Sequence, residues 1–368
     1  MGPWSNREHA ASGAQFAVLI QMARLFPRPL GIMVVALLMW SRPATAEELP
    51  VLFIHGFCSS ADTWNDTLPQ LSTRRYGDAA PRVYESAGGK AAGRSPVAPG
   101  AKTFRIDFSD LAGGFDLIAV ANVPTDRKAG ELKVVIDAIK RFTGAPGVIL
   151  VGHSLGGLAA RAYIQGIGRD RNGAMISYGR DVAALVMIDT PNQGSVLANL
   201  SGAPGAEQCV LADTANLRDL QPTSSFLRDL NRQPWSTGTA VHSIISSNTG
   251  SDSDDVVTTT SQDLTALGQY ESLKDAKRWL QTFERNGILH LRVHNEATTV
   301  ALFTGIINDI DTGKDAVLSA LKTTKQFFEL GKPREVVAER DRREVGADGR
   351  VGAAADRHPD RLAPRKPF

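Results

Sequence analysis

Val148-Ile149-Leu150-Val151-Gly152-His153-Ser154-Leu155-Gly156-Gly157 is the stretch on which the reading of the fold turns. Four apolar residues, three of them branched at Cβ, read as a buried strand. From Leu155 to Gln165 the apolar spacing becomes helical. Between the two lies Gly152-x-Ser154-x-Gly156, the pattern of a strand-to-helix elbow that strains a serine backbone and lifts its hydroxyl above the sheet edge. Side chains at Gly152 or Gly156 would meet neighbouring backbone. The helix that follows points its first N–H groups at the space where negative charge would develop. The motif alone recurs by chance; its place between strand and helix gives it weight.

Outward from this elbow, strand and helix alternate. Val51–Ile54, Thr103–Phe108, Ala183–Ile188, Ala240–Ile245 and Ile288–Val293 read as further strands. Leu132, Val135, Ile136, Ile139 and Phe142 repeat at helical spacing, and Thr298 to Leu330 reads as a C-terminal helix. Short apolar strands alternating with helices predict a mostly parallel α/β sheet covered on both faces. Gln193 to Gly238 breaks the rhythm, with Gly, Pro and Asn among scattered leucines. It reads as an inserted cap or lid, or as a packed surface excursion.

The ends differ in character. Arg24 and Arg28 precede an apolar run from Leu30 to Trp40, then Ala44-Thr45-Ala46. That order reads residues 1–46 as a secretory signal, with Met22 as a candidate true start and an uncleaved anchor as the alternative. The run is too short for a comfortable membrane span. Residues 332–368 are rich in Arg, Asp, Glu, Ala and Gly and read as a disordered charged tail, leaving 47–331 as the folded domain. Across 368 residues, 41 Lys and Arg oppose 39 Asp and Glu, which implies no pull toward nucleic acid. Two cysteines rule out a disulfide-dense scaffold and a four-cysteine zinc site.

A serine hydroxyl needs a base within hydrogen-bond reach, and the base needs an orienting carboxylate. With this kind of elbow the chain order is serine, acid, histidine. The loop Ser251-Asp252-Ser253-Asp254-Asp255-Val256-Val257 offers three acids. Asp254 is favoured because the two-residue step to the valines lets them pack beneath the loop; Asp252 and Asp255 stand as alternatives, as does a solvated turn or a calcium loop. For the base, His294 is favoured because it follows the expected strand Ile288–Val293, whereas His290 would lie within it. Ile54-His55-Gly56-Phe57 follows the first strand, so the backbone N–H groups of Phe57 and Leu155 are the expected oxyanion donors, with His55 a structural brace.

These residues resemble secreted α/β-hydrolase lipases and esterases, especially the branch similar to GPI inositol-deacylases and bacterial triacylglycerol lipases. The resemblance rests on Leu52–Phe57, Phe104–Phe108, Gly152–Gly157 and Asp189-Thr190-Pro191-Asn192-Gln193-Gly194-Ser195. In the last stretch Asp189 stands where that family has Gly, and Asn192 where it has His. In the acid loop Asp255 replaces the Gly of Asp-Gly-Val-Val. The resemblance implies an α/β-hydrolase fold and ester hydrolysis through an acyl-enzyme, with an apolar acyl pocket under the cap. The expected machinery is then Ser154, Asp254 and His294, without cofactor or metal, acting on a small-molecule or lipid ester, with transient contact to a lipid interface and no nucleic acid. Acyl transfer, amidase or haloperoxidase chemistry, or a non-catalytic binding protein, are the competing readings. Export would place the chain in the periplasm or outside the cell, where Cys58 and Cys209 would pair if geometry allows.

Overall fold

In the computed structural model Val51–Ile54 forms β1, and its side chains show why the sheet needs cover on both sides. Leu52 and Ile54 join one apolar cluster, Val51 and Phe53 the other. The structure describes residues 48–71, 82–87, 90–93, 100–108, 116–195, 207–235, 238–267 and 276–312. The segments read as export signal, alternative start and charged tail lie outside them.

The remaining strands are β2 (Arg82–Ala87), β3 (Lys90–Gly93), β4 (Thr103–Asp107), β5 (Val148–His153), β6 (Val182–Ile188), β7 (Ala240–Asn248) and β8 (Lys277–Phe283). They form one eight-stranded sheet in the order β3-β2-β4-β1-β5-β6-β7-β8. All pairs are parallel except the β2–β3 hairpin. The expected strands at 51, 103, 148, 183 and 240 are therefore present, and the α/β-hydrolase architecture with them.

Helices α1 (Leu117–Ala121) and α2 (Thr125–Thr143) precede β5. α2 buries Leu132, Val135, Ile136 and Ile139 as their spacing predicts, while Phe142 stays exposed. It stops at Gly144, whose φ of 73° is the left-handed C-cap, with its N–H returned to the Lys140 carbonyl at 2.9 Å. α3 (Leu155–Ile164) is buried along its whole length. On the other face Trp64, Leu68 and Leu71 pack with Val300, Phe303, Ile306, Ile307 and Ile310, and the last five belong to the C-terminal helix described below.

Among the described residues of the irregular segment lie three short helices: α4 (Glu207–Leu211), α5 (Ala215–Asp219) and α6 (Ser225–Arg232). Residues 207–235 are docked rather than free-standing. Leu220, Leu227 and Leu230 enter the α2–α3 cluster, and Arg161 in α3 donates to Asn231 Oδ1 at 2.9 Å. Asp219 caps α2, accepting from the N–H and hydroxyl of Thr125, both at 2.8 Å. Cys209 in α4 and Cys58 after β1 are joined by a disulfide with Cα atoms 6.0 Å apart.

Two expectations at the far end need correction. Ile288–Val293 is not a strand. Gly287 takes φ 68°, and the chain turns through two short 3₁₀ segments, Leu289–Leu291 and Val293–Asn295. Leu289 and Val293 are buried and Leu291 is exposed, a four-residue repeat that six residues, four of them apolar, do not distinguish from alternation. Among the described residues the last strand is instead β8, Lys-Arg-Trp-Leu-Gln-Thr-Phe, whose residues are largely exposed and whose polar composition hid it. After α7 (Thr259–Gln262), the C-terminal helix is α8, Ala297–Asp311; the rest of the span expected to 330 lies beyond the described residues.

Candidate active site

Parallel strands bring their C-terminal ends to one edge, and five adjacent strands, β1, β5, β6, β7 and β8, send their following segments there. Ser154, after β5, has φ 54° and ψ −125°, a backbone that only an over-determined turn sustains. The reasons for its glycines are explicit. A Cβ on Gly152 would lie 2.6 Å from the Gly157 nitrogen, and one on Gly156 would lie 2.5 Å from the Ile54 carbonyl oxygen. Gly56, on the facing loop, leaves 3.1 Å between a would-be Cβ and the Ser154 Cβ. Leu155 is the first residue of α3, and Phe57 lines the cavity beside Ser154.

That facing loop is pinned from β4. Arg105 donates to the Ala61 carbonyl at 2.8 Å and to Asn65 Oδ1 at 2.6 Å, and Asp107 accepts the Ala61 N–H at 2.6 Å. The disulfide at Cys58 ties the same loop to α4. His55 is wholly buried and donates from Nδ1 to the Gly56 carbonyl at 2.9 Å. Burial, then the nearby Lys128 ammonium, push it down to about 3. It is a neutral brace, as expected of it.

The residue that meets Ser154 is His290, not His294. His290 Nε2 lies 2.8 Å from Ser154 Oγ, and its Nδ1 lies 2.6 Å from Asp254 Oδ2. A carboxylate only accepts, so Nδ1 carries the proton and Nε2 is left to accept from the serine hydroxyl. His294, the expected base, turns away: its Nε2 lies 3.1 Å from both the hydroxyl and the carbonyl of Thr63. Its ring packs edge-on to Trp64, and burial lowers its pKa to about 4. The reason for the exchange is the absent strand. A 3₁₀ turn, not an extended chain, carries these residues, so the reach over the sheet edge falls to the earlier histidine.

Asp254, after β7, is the loop acid that meets the histidine. It is fully buried, and its Oδ1 accepts the N–H groups of Val256 at 2.9 Å and Val257 at 2.6 Å. The valines expected beneath the loop thus hold the carboxylate by their backbone. Asp252 is exposed. Asp255 anchors the turn that bears His290, because its Oδ2 accepts from Asn248 Nδ2 at 2.7 Å and from the Leu289 N–H at 3.2 Å. The Asp254 carbonyl takes the His290 N–H at 3.0 Å.

Two contributors carry no signal of their own in the sequence. His153, the variable residue of the elbow, donates from Nε2 to the His290 carbonyl at 2.9 Å. Its ring centroid lies 4.5 Å from that of His294 and 5.0 Å from that of His290. Burial, followed by these two neighbours, holds it far below the ordinary imidazole range, so it stays neutral. Asp189, after β6, is fully buried with φ 48°. One oxygen of Asp189, one of Asp254 and a ring nitrogen of His290 lie within 4.8 Å of one another. In the sequence its position stands out only as a departure from a glycine.

A cavity of about 330 Å³ opens over Ser154. Phe57, Leu117, Leu220, Val256 and Val257 supply apolar wall, and Ser60, Thr63 and Ser195 line it too. Leu117 and Leu220 come from α1 and from the docked segment, so that segment forms part of the wall. A buried nucleophile–imidazole–carboxylate relay beside a mainly apolar hollow is equipped for acyl transfer to serine.

Two family models match the chain. The family model for class 2 lipases matches residues 126–284, and that for the PGAP1-like alpha/beta domain matches residues 45–203. Among curated protein sequences none matches the chain. Among solved structures, the lin2722 gene product of Listeria innocua is 18% identical, covering 70% of this chain and 92% of its own with a TM-score of 0.46. Mature lipase BlEst2 of Bacillus licheniformis is 17% identical over 71% and 92%, with a TM-score of 0.43. Lipase 1 of Pelosinus fermentans is 13% identical over 72% and 99%, with a TM-score of 0.42. From the sheet order and the two overlapping family matches, the chain has the α/β-hydrolase fold and is similar to both PGAP1-like alpha/beta domains and class 2 lipases.

Proposed function

We propose that the protein is an exported serine hydrolase that cleaves carboxylic esters, lipid or other acyl esters, through an acyl-enzyme. The observation that carries this reading is the continuous relay from Ser154 Oγ to His290 Nε2 at 2.8 Å and from His290 Nδ1 to Asp254 Oδ2 at 2.6 Å. Ser154 attacks the ester carbonyl as His290 takes its proton. Asp254 holds the imidazole in the reactive tautomer and offsets the charge of the imidazolium. The backbone N–H groups of Phe57 and Leu155 stabilise the oxyanion, each worth roughly 3 kcal/mol in comparable sites. His290 then protonates the leaving alcohol, and water repeats the cycle on the acyl-enzyme. Export is supported by the N-terminal Arg24–Ala46 pattern and by the Cys58–Cys209 bridge, a bond suited to an oxidising compartment.

A fluorophosphonate probe tests the chemistry directly. The native protein labels rapidly at Ser154, and Ser154→Ala does not label. A series of p-nitrophenyl esters of increasing acyl length then reads out the apolar hollow, with hydrolysis rising with chain length until the hollow is filled. Absence of both labelling and hydrolysis in folded protein would refute the reading.

A further inference from the structure

Asp189 is a second carboxyl group buried against the relay, and the relay as described does not use it. It sits at the end of β6, with its N–H bonded to the Ile244 carbonyl at 3.1 Å and its side chain wholly inaccessible to solvent. Among the described residues, the groups gathered around it are Asp254, His290 and Ser246, none of them a lysine or arginine. Two carboxylates so close and so dry do not both ionise, because the second charge has neither water nor a cation to offset it. Asp254 has three donors, the Val256 and Val257 N–H groups and His290 Nδ1. Against the Asp189 oxygens, among the described residues, only Ser246 offers donors. The negative charge therefore resides on Asp254 and the extra proton on Asp189. Burial first, and the neighbouring Asp254 second, hold the Asp189 carboxyl well above the usual carboxylate range.

We infer that Asp189 is a neutral carboxylic acid that donates its proton to Asp254, so that His290 faces an acid–carboxylate pair carrying a single charge. Asp189 is then a positioning residue that spreads the Asp254 charge and so sets the acid limb of the activity. The claim rests on the ester-hydrolase reading for its kinetic test, but not for its spectroscopic one. The other titratable and charged groups facing His290 are His153 from β5, His294 from the following turn, and Asp255 with Arg285, 3.8 Å apart, behind the turn. Both histidines stay neutral through the relevant range, which leaves Asp254 and Asp189 to set the local field.

Two variants suit the positive φ at this position, Asp189→Gly and Asp189→Asn. With the native protein they form a test by the pH dependence of kcat/KM on a p-nitrophenyl ester. Glycine removes the donor, so Asp254 draws the proton on His290 more strongly and the acid limb moves upward by about 0.5–1 pH unit, with KM unchanged. Asparagine can still donate to Asp254 from its amide and restores the native profile. A downward movement in the glycine variant would mean that Asp189 is itself ionised, and no movement would mean that it only fills space; either outcome overturns the inference. The infrared difference spectrum of native minus Asp189→Asn protein at neutral pH supplies a readout independent of activity. A protonated-carboxyl C=O band lost with Asp189 upholds the inference, and carboxylate bands alone, from an ionised Asp189 with or without a bound cation, end it. If fluorophosphonate labelling fails, the ester-hydrolase reading falls while the spectrum still decides the state of Asp189.

Discussion

The elbow at 148–165 and the base turn at 287–296 contribute the two ends of the same hydrogen bond, yet they are built by different rules. The elbow writes its signature locally. Gly152 and Gly156 sit within two residues of Ser154; Gly152 is required by the Gly157 nitrogen, 2.6 Å from where a Cβ would stand, and Gly156 by the Ile54 carbonyl of β1 at 2.5 Å. The base turn is specified from a distance. Its Leu289 N–H goes to Asp255, its His290 N–H to the Asp254 carbonyl, and its His290 carbonyl to His153. Those partners lie some 34 to 137 residues away along the chain. A feature whose signature residues lie within a few positions of one another can be read from the sequence; one whose partners are scattered over other loops cannot.

Removing the two histidines in turn puts this contrast to its severest trial. His290→Ala is expected to match Ser154→Ala, with kcat lower by on the order of 10⁶, and the double variant is expected to be no worse than either alone. His294→Ala, which removes a ring packed on Trp64 and Thr63, retains measurable ester hydrolysis in the folded fraction. If His294→Ala instead matches Ser154→Ala, the base turn in solution has the register that an extended strand would have given it. Steady-state kinetics on a p-nitrophenyl ester read this out.

The disulfide tests whether the docked segment is as distant a dependency as the base turn. The cysteines are 151 residues apart. For a loop of that size the chain-entropy model gives up to about 5 kcal/mol of stabilisation, and engineered bridges often give less. Reduced or Cys58→Ser, Cys209→Ser protein should therefore melt at a clearly lower temperature. Because Cys58 borders the cavity, KM should rise by more than kcat falls. An unchanged melting temperature on reduction would show that the segment is held by Leu227, Leu230 and the Arg161–Asn231 bond without the bridge.

Gly156→Ala probes the elbow's side of the comparison, at the point where it meets β1. Its methyl group would lie 2.5 Å from the Ile54 carbonyl oxygen and 2.7 Å from that of His55, both backbone atoms. A cost of about 3 kcal/mol in chemical denaturation is expected, together with loss of fluorophosphonate labelling as the elbow shifts. A stable, fully labelled variant would mean that the elbow tolerates more than its packing indicates.

The buried histidines make the smallest and most gradual prediction. In the unfolded chain they bind protons from about pH 6.5 downward, whereas folded His294 does so near 4 and folded His55 near 3. Their contribution to stability is full above about pH 6.5 and is lost as pH falls through that value toward the folded ones, by at most about 1.4 kcal/mol per histidine per pH unit. Melting temperature against pH measures the slope, and His294→Gln should make it shallower by one increment. An unaltered slope would place His294 in solvent, contrary to its packing in the base turn.

The central strands, the α2 stripe of Leu132, Val135, Ile136 and Ile139, the elbow around Ser154 and the acid loop are all legible in the order of the residues. Each of these writes its burial or its strain into neighbouring positions through a period of two, a period near four or a pair of glycines. Long-range packing decided the rest. β8 is an exposed edge strand whose Lys, Arg and Gln carry no apolar signal, and its pairing with β7 rests on backbone hydrogen bonds that any sequence can make. The choice of His290 over His294 depended on where Asp254, Asp255 and His153 come to rest once the parallel strands align. The meaning of Asp189 depended on the same convergence, because a carboxyl group acquires a neighbour's charge only when the fold removes the water between them.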